Sequence, residues 1–304
     1  MADIGFRPPV IEDAEWIRPL VYASGTRNAD YSFANIFCWA ETYRVLVARL
    51  GGALVTQMTI DGVPMYSFPL GLTDGAAVKS VVETLGEESR RGGTPLRLFA
   101  MSDADKRLLS ELFPGKFRYS SDDGVNDYLY LAEKLDTLAG KKLHAKRNYI
   151  NRFLSEGKSW DTEPISEGNT EEVLRTYDLW LGGKNFDPDA IAGEVISIRS
   201  ALEHFPKLGL DGLVLRVDGK VAAFTIGEPL CEDAYVAHFE KALPDITGAY
   251  QLINREFAGF IRETYPNTVY VNREEDMGIE NLRKAKHSYF PDIIEVKHYA
   301  ESVL

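Results

Sequence analysis

The chain has 304 residues, 45% of them hydrophobic and 26% charged, which suits a globular protein with one large core or two medium ones and excludes collagen, coiled-coil arrays and disordered tails. Its formal charge of −12 means that a polyanion must dock on a local basic patch and not on the whole surface. Cys38 and Cys231 are too few for a disulfide scaffold and indicate a reducing cytoplasm, the N-terminus lacks a secretory pattern, and no stretch is apolar enough to cross a bilayer.

In chain order, Tyr31 to Tyr43 carries Phe33, Ile36, Phe37 and Ala40 at helical spacing, with Asp30 placed to cap it. Three β-rich runs follow, separated by Gly51-Gly52 and by Asp61-Gly62, a two-residue hairpin signal. A helix from about Ala76 to Arg91 ends at Gly92-Gly93. Then come the strand LRLFAM, a helix from Asp103 to Phe113 and an extended segment through Tyr130. The second half opens with a long helix from about Leu138 to Glu156, the extended run WDTEPIS and helices near 171–181 and 188–204. Three antiparallel strands, GLVLRV, VAAFTIGEPL and AYVAHFEKA, come next, then a helix from Tyr250 to Tyr265, a strand from Thr268 to Asn272, a helix from Ile279 to His287 and a last strand IIEVKHYA. Helices packed on mixed, mainly antiparallel sheets give an α+β chain with the same order in both halves. The expected domains are residues 1–135 and 136–304, the second carrying the active cleft.

The signatures of P-loop, dinucleotide-binding, zincin and serine-hydrolase proteins are absent. Five scattered histidines give no short ligand spacing, so no metal is expected. The segment from Lys141 to Phe153 holds three lysines and two arginines and no acid. On a helical wheel Lys146 falls within the stripe of Leu143, Tyr149, Ile150, Phe153 and Leu154. Either Lys146 snorkels into water, or Lys142, Lys146 and Arg147 form an anion site with Asn148, Asn151 and Arg152 holding the neighbouring backbone. In the stretch from Tyr270 to Pro291, Glu275 and Asp276 suit a helix N-terminus. Lys286 shares the side of Ile279, Leu282 and Tyr289, and Arg283 flanks it. Strand alternation puts His238 and Glu240 on one face. Asn254 lies on the stripe of Tyr250, Ile253, Phe257 and Ile261 and must hydrogen-bond something buried.

Four motifs together, YSFANIFCWAETY, LxGKKxHxKRNxxNRF at Leu138–Phe153, FxIGEPL with AHFEKA and GAYQLIN, and VNREEDMGIENLRKAKxSYxP, resemble the family named for the phosphatidylglycerol lysyltransferase C-terminal domain. That family is similar in fold to Fem-type transferases with two tandem GNAT-like domains. The resemblance implies aminoacyl or acyl transfer, with aminoacyl-tRNA as donor, tRNA held by the local basic patch, and an amine or hydroxyl of a small molecule, a peptide or a protein as acceptor. On this reading Glu240, His238 and Asp276 are the candidate bases. Lys142, Lys146, Arg147, Asn148, Asn151, Arg152, Tyr250, Asn254, Asn272, Glu275, Arg283 and Lys286 are expected to bind substrate. Acyl-CoA is the alternative donor, although the stretch from Leu243 to Ala249 keeps one glycine of the usual pyrophosphate loop and adds Asp245, which repels a pyrophosphate. A non-catalytic ligand-binding module on the same fold is the other alternative.

Overall fold

Glycine pairs and two-residue turns punctuate the β-rich runs, and in a computed structural model of the chain they fall between strands. The structure describes residues 4–60, 62–183 and 188–303, with the backbone alone for 188–190. The strands are β1 (Leu46–Leu50), β2 (Ala53–Ile60), β3 (Val63–Ser67), β4 (Arg97–Met101), β5 (Phe117–Ser121), β6 (Asp127–Leu131), β7 (Trp160–Pro164), β8 (Asp211–Val217), β9 (Lys220–Cys231), β10 (Ala234–Ala242), β11 (Tyr270–Asn272), β12 (Ile293–Glu295) and β13 (His298–Ser302). They form two mixed sheets, ordered β1-β2-β3-β4-β13-β5 and β12-β6-β11-β10-β9-β8-β7.

The chain divides into two units. The first comprises residues 1–127, 275–279 and 294–304, and the second residues 128–274 and 280–293. A single cut at 135/136 was expected from the sequence. The C-terminal strand instead pairs antiparallel with both β4 and β5 of the first sheet, a partnership between residues about 200 positions apart that local periodicity does not encode.

In the first unit the helix Gly75–Arg91 is capped by Asp74, whose carboxylate accepts from the N–H groups of Ala76 and Ala77. It buries Val78, Val82 and Leu85 against Tyr66, Leu98 and Met101. Ile60 pairs with Val63, as the hairpin signal requires, and Gly62 takes φ 77; Asp61 lies outside the described residues. The expected helix at 31–43 is split into a 3₁₀ turn at Ala29–Tyr31 and short helices Phe33–Cys38 and Ala40–Tyr43. Its cap is Ser32, which accepts from the Asn35 N–H, and not Asp30, which is drawn off to the Lys297 ammonium 2.6 Å away.

In the second unit the helix Ala249–Thr264 lays Leu252, Ile253, Phe257 and Ile261 against the sheet. The expected helix over 138–156 proves to be two. Ala132–Thr137 ends where Leu138 and Gly140 turn left-handed, at φ 48 and 86, and His144–Ser155 begins beyond them. Within its predicted stripe Leu143, Ile150 and Phe153 are buried, whereas Tyr149 and Leu154 are exposed. β11 runs parallel to β10 only from Tyr270 to Asn272, opposite Ala234 to Val236, while β10 continues to Ala242. The two chains therefore part beyond Asn272 and leave a gap in the sheet, the usual place for a ligand in a sheet with a parallel pair.

Candidate active site

Two ion pairs cross the gap, Arg273–Glu240 and Glu274–His238. Arg273, the first residue after β11, donates through Nη2 to Glu240 Oε1 on β10 at 2.9 Å, and the two side chains are 14% and 8% exposed. Asn254, projecting from the helix Ala249–Thr264, donates through Nδ2 to the other carboxylate oxygen at 2.9 Å. The Tyr250 hydroxyl donates to the Glu240 backbone carbonyl. Arg273 is held from behind by the buried Lys286, whose Nζ donates to the Arg273 carbonyl, and the Lys286 carbonyl accepts from the Tyr130 hydroxyl at 2.9 Å. The Arg273 guanidinium lies 4.9 Å from the ring centre of Tyr289 and 5.7 Å from that of Tyr130.

Lys146 enters from the helix His144–Ser155. Its Nζ is 4.0 Å from the Tyr289 ring centre and donates to Ser288 Oγ at 2.6 Å. Burial, and then the nearby Arg273 guanidinium, pull its pKa down to about 8 against the opposing pull of Glu240.

Three buried polar atoms of this cluster have no hydrogen-bond partner among the described residues: Arg273 Nη1, the Tyr289 hydroxyl and Asn254 Oδ1. A buried polar atom without a partner costs about 1–3 kcal/mol, so three in one cluster mark a place completed from outside. They are of both polarities. The arginine offers donors, the tyrosine can donate or accept, and the amide oxygen accepts. At Tyr250 the cluster adjoins a cleft of about 290 Å³ lined by Tyr149, Trp180, Pro244, Ile246, Thr247 and Gln251 among others.

Other expected residues have other partners. His238 is the extra residue of a bulge in β10, where Ala237 and Phe239 pair with the adjacent Gly227 and Ile226, so the alternation that would set it beside Glu240 is broken. It is buried between Glu274 at 2.8 Å from Nδ1 and Glu228 at 3.3 Å from Nε2. Burial alone would lower its pKa, but the two carboxylates outweigh that and hold it up at about 9. Asn272 is fully buried and accepts the Glu274 N–H at 2.7 Å. Asp276 and Glu275 belong to the first unit; Asp276 accepts the Gly278 N–H, and Glu275 lies 3.9 Å from Lys297.

In the basic segment, Lys142 precedes the helix and sits 5.3 Å from the Phe290 ring centre, and Arg147 donates to the carbonyls of Leu138 and Gly140, closing the break between the two helices. Asn148 meets His144 at 3.3 Å, and Asn151 and Arg152 are exposed. Of this segment, Lys146 is the residue that meets the cluster. Arg283 is half-buried. Sequence reasoning missed Arg273, Tyr289, Ser288 and Tyr130. The signal available for Arg273 was its place directly after a short strand, inside a motif already singled out.

The loop from Leu243 to Gly248 carries one acid and is closely packed at its glycine. Asp245 is exposed on it. Gly248 takes φ 91, and a Cβ there would lie 2.4 Å from the Tyr149 carbonyl oxygen and 2.9 Å from Phe153 Cβ, so the helix His144–Ser155 presses on the loop itself.

In fold the chain is similar to FemX, with a TM-score of 0.59 at 6% identity, over 98% of this chain and 97% of that one. Residues 23–300 match the family described as "Phosphatidylglycerol lysyltransferase, C-terminal", and the chain belongs to that family. It is similar to a conserved Bacteroides thetaiotaomicron protein of unknown function, at 35% identity and TM-score 0.92 over 99% of this chain and all of that one. It is also similar to the C-terminal domain (DUF2156) of a proposed lysylphosphatidylglycerol synthetase from Agrobacterium fabrum, at 17% identity and TM-score 0.66 over 95% and 91% of the two chains. An uncharacterised protein of Mycoplasmoides gallisepticum is 25% identical over 186 residues, 60% of this chain and 58% of that protein, so the match spans little more than half the length of this curated relative. Among the described residues no helix is long and apolar enough to cross a membrane.

Proposed function

We propose that the chain transfers an aminoacyl group from an aminoacyl-tRNA to an amine, with the reacting ester seated in the gap between β10 and β11. The observation that carries this reading is the set of three orphaned atoms. An aminoacyl ester presents a carbonyl oxygen and an α-ammonium on adjacent carbons, one an acceptor and one a donor. Arg273 Nη1 and the Tyr289 hydroxyl suit the carbonyl oxygen and the negative charge that it gains on attack. Asn254 Oδ1 suits the ammonium. A plain acyl group offers Asn254 nothing to accept.

Membership of a family named for a lysyltransferase supports the same class of reaction. So does the outer face of the basic helix, where His144, Asn148, Asn151 and Arg152 are exposed beside Lys141 and Lys142 and provide a local surface for RNA phosphates on a chain of charge −12. Acyl-CoA is disfavoured as donor by the exposed Asp245 and by the helix pressed on Gly248. Because the cleft is lined largely by apolar and aromatic side chains, it suits the donor's terminal base or an apolar part of the acceptor.

The test is retention of label on tRNA. Bulk tRNA charged with labelled amino acids is incubated with the protein and glycinamide, with acetyl-CoA in a parallel reaction. Loss of label from tRNA into glycinamide, abolished by Arg273→Met and weakened by salt, supports the reading. Acetylation of the amine without tRNA turnover refutes it.

A further inference from the structure

Attack of an amine on an ester needs a group to take the amine's proton. The three residues that the sequence offers for this task are engaged in other ways. His238 has both ring nitrogens between Glu274 and Glu228 and is an imidazolium at neutral pH, with no lone pair to offer. Glu240 has one carboxylate oxygen on Arg273 and the other on Asn254. Asp276 Oδ1 accepts the Gly278 N–H.

Resting on the aminoacyl-transfer reading, we propose that Lys146 Nζ is the proton acceptor of the reaction. Expected from the sequence to anchor an anion, Lys146 has instead burial and Arg273 acting against its ammonium, with the Tyr289 ring face at 4.0 Å and Glu240 acting for it. It is half-buried, and among the described residues no carboxylate lies within ion-pair distance of it. The charged groups bearing on it are Arg273 after β11, which repels the ammonium, and Glu240 on β10, which favours it. The titratable Tyr289 lies against it through its ring, with its own hydroxyl orphaned.

Ser288 sets the direction. Its Oγ donates to the Ala285 carbonyl at 2.5 Å and therefore accepts from Nζ. A neutral Lys146 keeps that N–H bond and turns its lone pair elsewhere. Burial and the guanidinium place its titration at about 8, so roughly a tenth of it is unprotonated at pH 7 and more as the pH rises. As the acceptor nitrogen bonds to the ester carbon, its proton passes to the Nζ lone pair. As the carbon–oxygen bond breaks, the same proton passes to the leaving ribose oxygen, and the lysine ends as it began.

Two measurements on the full chain test this. Competitive labelling with acetic anhydride across pH 6–11, read by mass spectrometry at Lys146 and at Lys142, should give Lys146 a midpoint near 8, and Arg273→Met should move that midpoint upward. Single-turnover transfer from charged bulk tRNA to glycinamide should rise with pH about the same midpoint. In Lys146→Arg it should fall by roughly 100-fold or more at pH 7.5, while donor binding is kept. A labelling midpoint above 10, or wild-type transfer by Lys146→Arg, overturns the assignment of Lys146 alone. An absence of transfer from the wild-type chain overturns the aminoacyl-transfer reading, and the role of Lys146 with it, whatever the labelling midpoint.

Discussion

Replacing Arg273 by Met removes a cation that spans the gap and leaves Glu240 with the Asn254 amide as its side-chain donor. The pair is 14% and 8% exposed, so solvent screening offsets little of the loss. Removing one partner of such a pair costs about 3–5 kcal/mol, because the other charge is left buried. The bond from Asn254 keeps the expected value near the lower end, roughly 3 kcal/mol, which for a unit of this size lowers the melting temperature by about 6–12 °C. The companion double variant Arg273→Met with Glu240→Gln removes both charges, keeps the Asn254 bond, and should recover most of that loss. Urea unfolding followed by the fluorescence of Trp160 and Trp180, both in the second unit, measures all three proteins. A single variant within about 1 kcal/mol of wild type, or a double variant no better than the single, would show that the pair is a loose surface contact and would remove the basis of the site.

Tyr289→Phe removes a buried hydroxyl that has no partner among the described residues, so stability should rise by about 1–3 kcal/mol while affinity for the charged donor falls about tenfold; thermal unfolding and filter binding separate the two. His238 is held with a pKa raised from 6.5 to about 9, so its stabilising contribution is complete below about pH 6.5 and is lost as pH rises through 9. The stability gap between wild type and His238→Gln should therefore shrink between pH 6 and pH 10 in urea titrations, and a constant gap would contradict the ion triad. Gly248→Ala combines a left-handed φ of 91 with a 2.4 Å approach to the Tyr149 carbonyl and should cost at least about 2 kcal/mol in the same assay. In the first unit Lys297 is 3% exposed and lies 2.6 Å from Asp30 and 2.8 Å from the fully buried Asp127; Lys297→Met should destabilise that unit by about 3–5 kcal/mol, visible as faster amide exchange in β4 and β13.

Much of the element order is legible in the sequence because alternation and helical spacing are local signals. The ambiguities are non-local. Asp30 and Ser32 offer the same capping chemistry, and the choice between them is made by Lys297, 267 residues away. The break at residues 138–143 escaped because the apolar stripe continues in phase through Leu143. For the site, Lys146, Lys286 and Asn254 were singled out because a polar side chain on an apolar face needs a partner, and Glu240 by an alternation with His238 that the bulge breaks. Arg273 and Tyr289 were not, since an arginine at a strand end and a tyrosine in a core stripe are ordinary in sequence. What makes them functional candidates is that Arg273 Nη1 and the Tyr289 hydroxyl are buried and unmatched, which only three dimensions show. The pairing of His238 with Glu228 and Glu274 depends on a bulge that period-two reading skips.

The fate of the ester bond in charged tRNA is the most direct test of aminoacyl transfer. Single-turnover decay of labelled bulk aminoacyl-tRNA is followed with wild-type protein, with Arg273→Met and with no protein, each in the presence of glycinamide. The wild type alone should speed the loss of label and move it to the amine. Equal decay in all three reactions would contradict aminoacyl transfer at this site.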